Sequence, residues 1–185
     1  MKKLIFILSA VVMIAQTNIS FAQGRSSSGV LFLLIAPGAR PGGMGESFVS
    51  IADDATATYW NPAGMAFQNR RQVSLMHSNW LPQLAPDFYF DHAAIVQPME
   101  GIGSLGLSLT FLNRGEQVIT GEESSKPLGT FSSYDLAAAG SYANKLSENS
   151  AIGITLKFIY SNLAPQGAGA EKGNGRATAF AADLG

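Results

Sequence analysis

From residue 72 onward, apolar and polar positions alternate with a period of two, the signature of a strand with two unlike faces. Over 104–111 one face carries Leu105, Leu107, Leu109 and Phe111, and the other Ser104, Gly106, Ser108 and Thr110. The stretch 151–160 repeats this, with Ile152, Ile154, Leu156, Phe158 and Tyr160 opposite Ala151, Gly153, Thr155, Lys157 and Ile159. Over 134–142, Leu136, Ala138 and Gly140 lie between Tyr134 and Tyr142 on one face. Further strands are predicted at about 72–80 and 87–97, and a sixth begins near residue 177.

Two architectures give such alternation: a soluble sandwich with one buried face, and a barrel whose apolar face meets lipid. The predicted strands run to about 9–12 residues, close to the 9–11 that a tilted strand needs to cross a bilayer and longer than the usual 5–6 of soluble strands. The opposite face is small and polar, as a wet or plugged lumen would be, and Tyr134, Tyr142 and Tyr160 are expected near strand ends, where interfacial aromatic girdles belong. The connections 113–133 and 161–176 read as long, whereas 98–103 and 147–150 are short, the asymmetry of external loops and periplasmic turns. The reading is therefore all-β, a transmembrane antiparallel β-barrel over 72–185. Six strands cannot close a membrane barrel, because an open edge in lipid leaves backbone groups without partners. More strands are expected beyond residue 185, which makes the sequence an N-terminal fragment or a truncated product.

The first 22 residues form a separate unit. Lys2 and Lys3 precede a mostly apolar run from Leu4 to Ala15, and Ser20-Phe21-Ala22 is a small-x-small cleavage site, so 1–22 reads as a secretory signal. Its removal leaves ten basic against thirteen acidic side chains, a net charge of −3 that offers nothing to nucleic acid. The absence of cysteine excludes both a disulfide framework and a lipidated N-terminal cysteine. The longest apolar stretch after the signal, 30–36, is far too short for a membrane-crossing helix.

Residues 23–71 do not alternate. Pro37-Gly38-Ala39-Arg40-Pro41-Gly42-Gly43-Met44-Gly45 is turn-rich, and 50–59 fits either a short strand or one helical turn. In Trp60-Asn61-Pro62-Ala63-Gly64-Met65-Ala66 the proline keeps Asn61 out of the α region, so Asn61 can cap a turn that Pro62 starts, while Gly64 permits close backbone packing and Trp60 reads as exposed. The segment 23–71 is expected to be an irregular plug inside the barrel, with the Asn-Pro-Ala corner turning the chain into the wall.

Known chemistries find little here. Gly101-Ile102-Gly103-Ser104-Leu105-Gly106 matches G-x-G-x-x-G but opens a strand rather than a helix, so it reads as a turn. His77 and His92 have no second histidine or cysteine at ligand spacing and read as strand-surface residues near a rim. Asp53-Asp54 reads as a solvated or hydrogen-bonded turn, and no G-x-S-x-G elbow exists. No catalytic, cofactor or metal site is expected.

Several stretches resemble one family. Phe32-Leu33-Leu34-Ile35, Ala39-Arg40, Gly43-Met44-Gly45, Asp53-Asp54-Ala55-Thr56-Ala57 and Trp60-Asn61-Pro62-Ala63 look like the N-terminal signature of the PorV/PorQ family, within the FadL-like outer-membrane barrels. Trp80-Leu81-Pro82, Pro127-Leu128-Gly129-Thr130-Phe131 and Phe180-Ala181-Ala182-Asp183-Leu184-Gly185 extend the likeness downstream. Gly38 stands where the nearest relatives would carry an acidic residue. The resemblance implies a 14-stranded barrel closed by an N-terminal hatch, with Arg40, Gly43, Met44, Gly45, Asp53, Asp54, Trp60, Asn61, Pro62 and Ala63 as its structural and gating motif. It implies an outer-membrane component of type IX secretion that contacts outer-membrane lipid, the translocon and the attachment complex. External loops such as 113–133 and 161–176 would bind secreted cargo proteins through their C-terminal sorting domains. The alternative implication is FadL-like uptake of hydrophobic compounds past the hatch.

Overall fold

The alternating stretches form six strands, β1 (Gln72–Asn79), β2 (Phe88–Met99), β3 (Gly103–Thr120), β4 (Pro127–Lys145), β5 (Ala151–Ala164) and β6 (Gly175–Leu184). They pair antiparallel in sequence order as one sheet, with β1 and β6 as its edges. The computed structural model describes residues 30–80, 82–83, 85–120, 127–164 and 175–185. The signal expected over 1–22 lies outside these residues. Among the described residues no helix is long and apolar enough to cross a membrane.

Register turns the sequence alternation into two surfaces. Leu75, Ala93, Leu109, Ala138, Phe158 and Phe180 fall in one row across the six strands. Val73, Ile95, Leu107, Gly140, Leu156 and Ala182 form the next row on the same face. This apolar face is left uncovered: Leu75 is 79% exposed, Leu107 63% and Phe180 83%. On the opposite face, Ser74, Ala94, Ser108, Ala139, Lys157 and Ala181 share a row. Against this small-residue face packs the irregular segment that precedes β1. The principal core, Ala52, Ala55, Ala57, Met65, Ala94, Val96 and Ala143, lies between the two.

The connections differ from expectation in one place. The segment 113–133, expected as a long loop, is mostly strand, because β3 runs on to Thr120 and β4 starts at Pro127. Likewise β5 reaches Ala164 and β6 starts at Gly175, which shortens the expected 161–176 loop. The residues that conceal the longer β3 are a bulge. Asn113 pairs with Tyr134 and Glu116 with Ser132, so two residues of β3, Arg114 and Gly115, face one of β4. The extra residue moves the alternation out of phase, and Asn113 and Gly115 imitate a turn. Tyr134 consequently sits well inside β4 rather than near its end. The loop asymmetry between odd and even connections is therefore weaker than the sequence suggests, although the even connections are tight, with Glu100–Ile102 closing the β2–β3 hairpin.

One end of the apolar face carries an aromatic row. His77 lies 5.6 Å from Tyr89, Tyr89 6.1 Å from Phe111, Phe111 5.8 Å from Tyr134 and Tyr134 6.1 Å from Tyr160, measured between ring centroids. This chain of rings spans five strands at the end where the odd-numbered connections emerge. Beyond it, β3 and β4 continue together as a two-stranded hairpin.

Candidate functional site

The irregular segment reaches the sheet through four short turns: a 3-10 turn at Leu31–Leu34, helical turns at Ala39–Gly43 and Ala57–Trp60, and a 3-10 helix at Pro62–Phe67. Of the two readings for 50–59, the helical turn is the one formed. Asn61 has φ −163°, the extended backbone that a following proline demands. Its Oδ1 accepts from the Ala63 N–H at 3.1 Å, so it caps the helix that Pro62 begins. Its Nδ2 donates to the Val49 carbonyl at 3.0 Å and ties the corner to the preceding loop. Asn61→Ala removes both bonds and is expected to cost about 1 kcal/mol, the usual value of a lost N-cap, read as a lower thermal midpoint in detergent.

Trp60 is half-buried rather than exposed. Its indole N–H donates to the Pro37 carbonyl at 3.2 Å, and its ring meets Phe48 and Tyr59 edge-on at 6.1 and 5.3 Å. Gly43, at the end of the Ala39–Gly43 turn, and Met44 and Gly45 after it are exposed. Arg40 grips Asp53 with both guanidinium nitrogens, at 2.5 and 3.2 Å, and its charged end lies 5.1 Å from the Phe48 ring centroid. Asp54 accepts from the Thr56 N–H at 2.8 Å and closes the next turn. The expected hydrogen-bonded turn at Asp53-Asp54 is thus formed, with the two carboxylates facing different partners.

The Arg40 hydrogen bond holds the Asp53 carboxyl below the ordinary carboxylate range, against a smaller opposing effect of burial. The sign follows from linkage: a lowered folded pKa contributes stability above the free-aspartate value of about 3.9 that disappears as pH falls through the folded value. Acid titration of the protein in detergent should therefore loosen the 38–53 loop below about pH 4, and Arg40→Gln should remove that dependence. Tryptophan fluorescence from Trp60, beside Phe48, is the readout.

The corner does more than turn the chain. Pro62 and Ala63 lie against β5, so that a side-chain carbon on Gly153 would collide with the Pro62 carbonyl carbon and the Ala63 nitrogen. At Gly106 the same carbon would meet Met65 Sδ at 2.6 Å and Thr58 Cγ2 at 2.7 Å. Gly64 in turn leaves room for Ala52, whose Cβ would stand 2.8 Å from an added carbon. The last glycine of the G-x-G-x-x-G match is therefore a packing residue for the segment. Lys157 adds a polar link, its Nζ 2.6 Å from Asp183 Oδ2 and 5.8 Å from the Tyr59 ring centroid.

His77 is the strand-surface residue expected, exposed near the end of β1 in the aromatic row with its Nδ1 2.6 Å from Asp91, whereas His92 is not, being buried on the inner face with Nδ1 3.0 Å from Thr110 Oγ1. Among the described residues no group of three or more His, Asp or Glu side chains gathers as a metal site would. An apolar groove lined by Val73, Leu75, Ile95, Leu107, Ala138 and Gly140 is a furrow in the uncovered face where small residues of β4 lie beside leucines.

The base of the β3–β4 hairpin is braced on both sides. Asp87 receives the Glu116 N–H at 2.7 Å and its carbonyl receives Asn113 Nδ2 at 2.8 Å, while its carboxylate fills the space beside Gly115, whose φ is +72°. On the inner face Asp135 accepts from Arg114 Nη2 at 2.6 Å and from Ser161 Oγ at 2.5 Å. Sequence reading missed Asp87, Gly115, Gly106 and Gly153 as structural keys. The glycines at inner positions of otherwise regular strands were the available signal.

A family model described as type IX secretion system protein PorV matches residues 21–185. The chain belongs to the PorV family. No match is found among curated proteins. PorV proteins are outer-membrane components of type IX secretion and not a known enzyme family. Membership accounts for the two-faced sheet.

Proposed function

We propose that the chain binds the C-terminal signal domain of secreted cargo and passes it from the translocon to the cell-surface attachment complex. The uncovered apolar face then contacts outer-membrane lipid, the aromatic row marks the interface on the side of the odd connections, and that side faces out of the cell. Residues 32–67 act as the hatch, held by the motif around Asn61 and by the Arg40–Asp53 pair. The observation that carries the reading is the β3–β4 hairpin, which stands beyond the aromatic row and is fixed at its base by Asp87 and by Arg114–Asp135. A rigid scaffold presenting such an extension suits binding rather than chemistry.

The test is capture from cells with the full-length protein as bait. Recovery of secreted proteins through their C-terminal domains, lost when those domains are deleted from the cargo, is the expected result. Absence of cargo together with restored uptake of labelled fatty acid would overturn it in favour of a FadL-like transporter.

A further inference from the structure

Above the bulge the two strands of the hairpin pair only with each other. β2 ends opposite Arg114 and β5 pairs with β4 no further than Tyr134, so Glu116–Ile119 has no strand on its outer side among the described residues. The sheet closes its own ladder at that height. The Glu116 N–H is taken by the Asp87 carboxylate and the Ser132 carbonyl by Asn162 Nδ2 at 3.2 Å. Past these two caps the chain reads Gln117-Val118-Ile119 on one strand and Gly129-Thr130-Phe131-Ser132 on the other. Val118, Ile119, Thr130 and Phe131 favour strands, and although β4 opens on Pro127, the β3 edge from Gln117 to Ile119 carries none of the lysines or prolines that natural proteins place on exposed edges to repel a further strand. Val118 is 55% exposed on such an edge.

We propose that the free edge of β3 above Asp87 is a receptor for an extended segment of the cargo, which adds to the hairpin as a third strand. This rests on the cargo-binding reading and specifies how cargo is held. The occupant follows from the chemistry of the edge: a row of main-chain donors and acceptors is matched only by another extended chain, which supplies the complementary row. Recognition through the main chain tolerates varied cargo sequences, as a carrier of many proteins requires. The bulge and the Asp87 brace aim the edge without letting the barrel's own ladder extend along it.

The experiment uses the full-length protein in detergent and a purified cargo C-terminal domain. The first variant, Val118→Lys, leaves the hairpin's own hydrogen bonds intact and places a charge on the edge. The second and third, Gln117→Pro and Val118→Pro, differ in which side loses an N–H. Val118→Lys and one of the two prolines are expected to weaken cargo binding at least tenfold, with heat-modifiable migration of the barrel unchanged. Because the chain has no cysteine, single cysteines at 116–119 give clean disulfide trapping. Strand addition requires trapping partners on the cargo to step in a fixed register. If the unaltered protein binds cargo but Val118→Lys binds equally well, or trapping shows no register, the edge proposal is overturned and the cargo reading stands. If the unaltered protein binds no cargo, both fall.

Discussion

Leu107→Arg will destabilise the protein by about 2–4 kcal/mol when folding is measured into lipid vesicles, the cost of placing arginine on the lipid face of a barrel near mid-bilayer. Leu107 sits on the uncovered face midway between the Glu100–Ile102 turn and Phe111 of the aromatic row, between Ile95 and Gly140 in its own row. It is 63% exposed and makes little packing that an arginine would disrupt. On a water-facing sheet the same change would stay within about 0.5 kcal/mol, as exposed substitutions generally do. The two readings of the alternation thus predict effects that do not overlap. Urea titration of vesicle-folded protein separates them, and a near-neutral result would return the apolar face to water or to a second sheet.

Gly153→Val will displace the corner of the N-terminal segment from β5. The new side chain meets main-chain atoms of Pro62 and Ala63, which cannot rotate away as a side-chain tip would. Overpacking typically costs about 1–3 kcal/mol, and a backbone neighbour puts this site at the upper end. Because the strand itself accepts valine well, the loss should appear as release of the segment with the sheet retained. Limited proteolysis should therefore cut between residues 38 and 70 in the variant and not in the parent, with the barrel core still heat-modifiable. Equal resistance in both proteins would show that the segment is not held at this glycine. Gly106→Val, which meets the end of Met65 as well as Thr58, should show a milder form, since the flexible thioether can move aside.

Much of this was legible beforehand, for physical reasons that differ by element. The eight leucine, isoleucine and phenylalanine positions of 104–111 and 151–160 that define the apolar face repeat every second residue, and a one-residue slip would turn them all inward. The cap at Asn61 was legible because proline constrains its neighbour whatever the tertiary context. The extension of β3 was hidden, since a bulge breaks the period just where a reader counts on it. The reason for Gly106 and Gly153 was hidden as well. Their partners Met65 and Pro62 lie far away in sequence, and only the register shows which inner positions the segment crosses. Trp60 was misjudged because its position beside a proline and a glycine suggested a surface turn, whereas Phe48, Tyr59 and the Pro37 carbonyl enclose it.

The placing of Pro62 and Ala63 on β5 bears on biogenesis. The corner is made early, but its seat comes roughly 90 residues later, a separation that makes the contact slow to form. Met65 and the alanines around it rest on Ala94, Val96 and Ala143 of β2 and β4, so it is the Pro62–Ala63 corner alone that waits for the fifth strand. Seating of the corner is therefore a late event, tied to wall completion rather than to export. A ribosome-stalled or truncated chain ending before residue 150 should leave the Pro62–Ala63 corner open to proteolysis, which the finished protein resists.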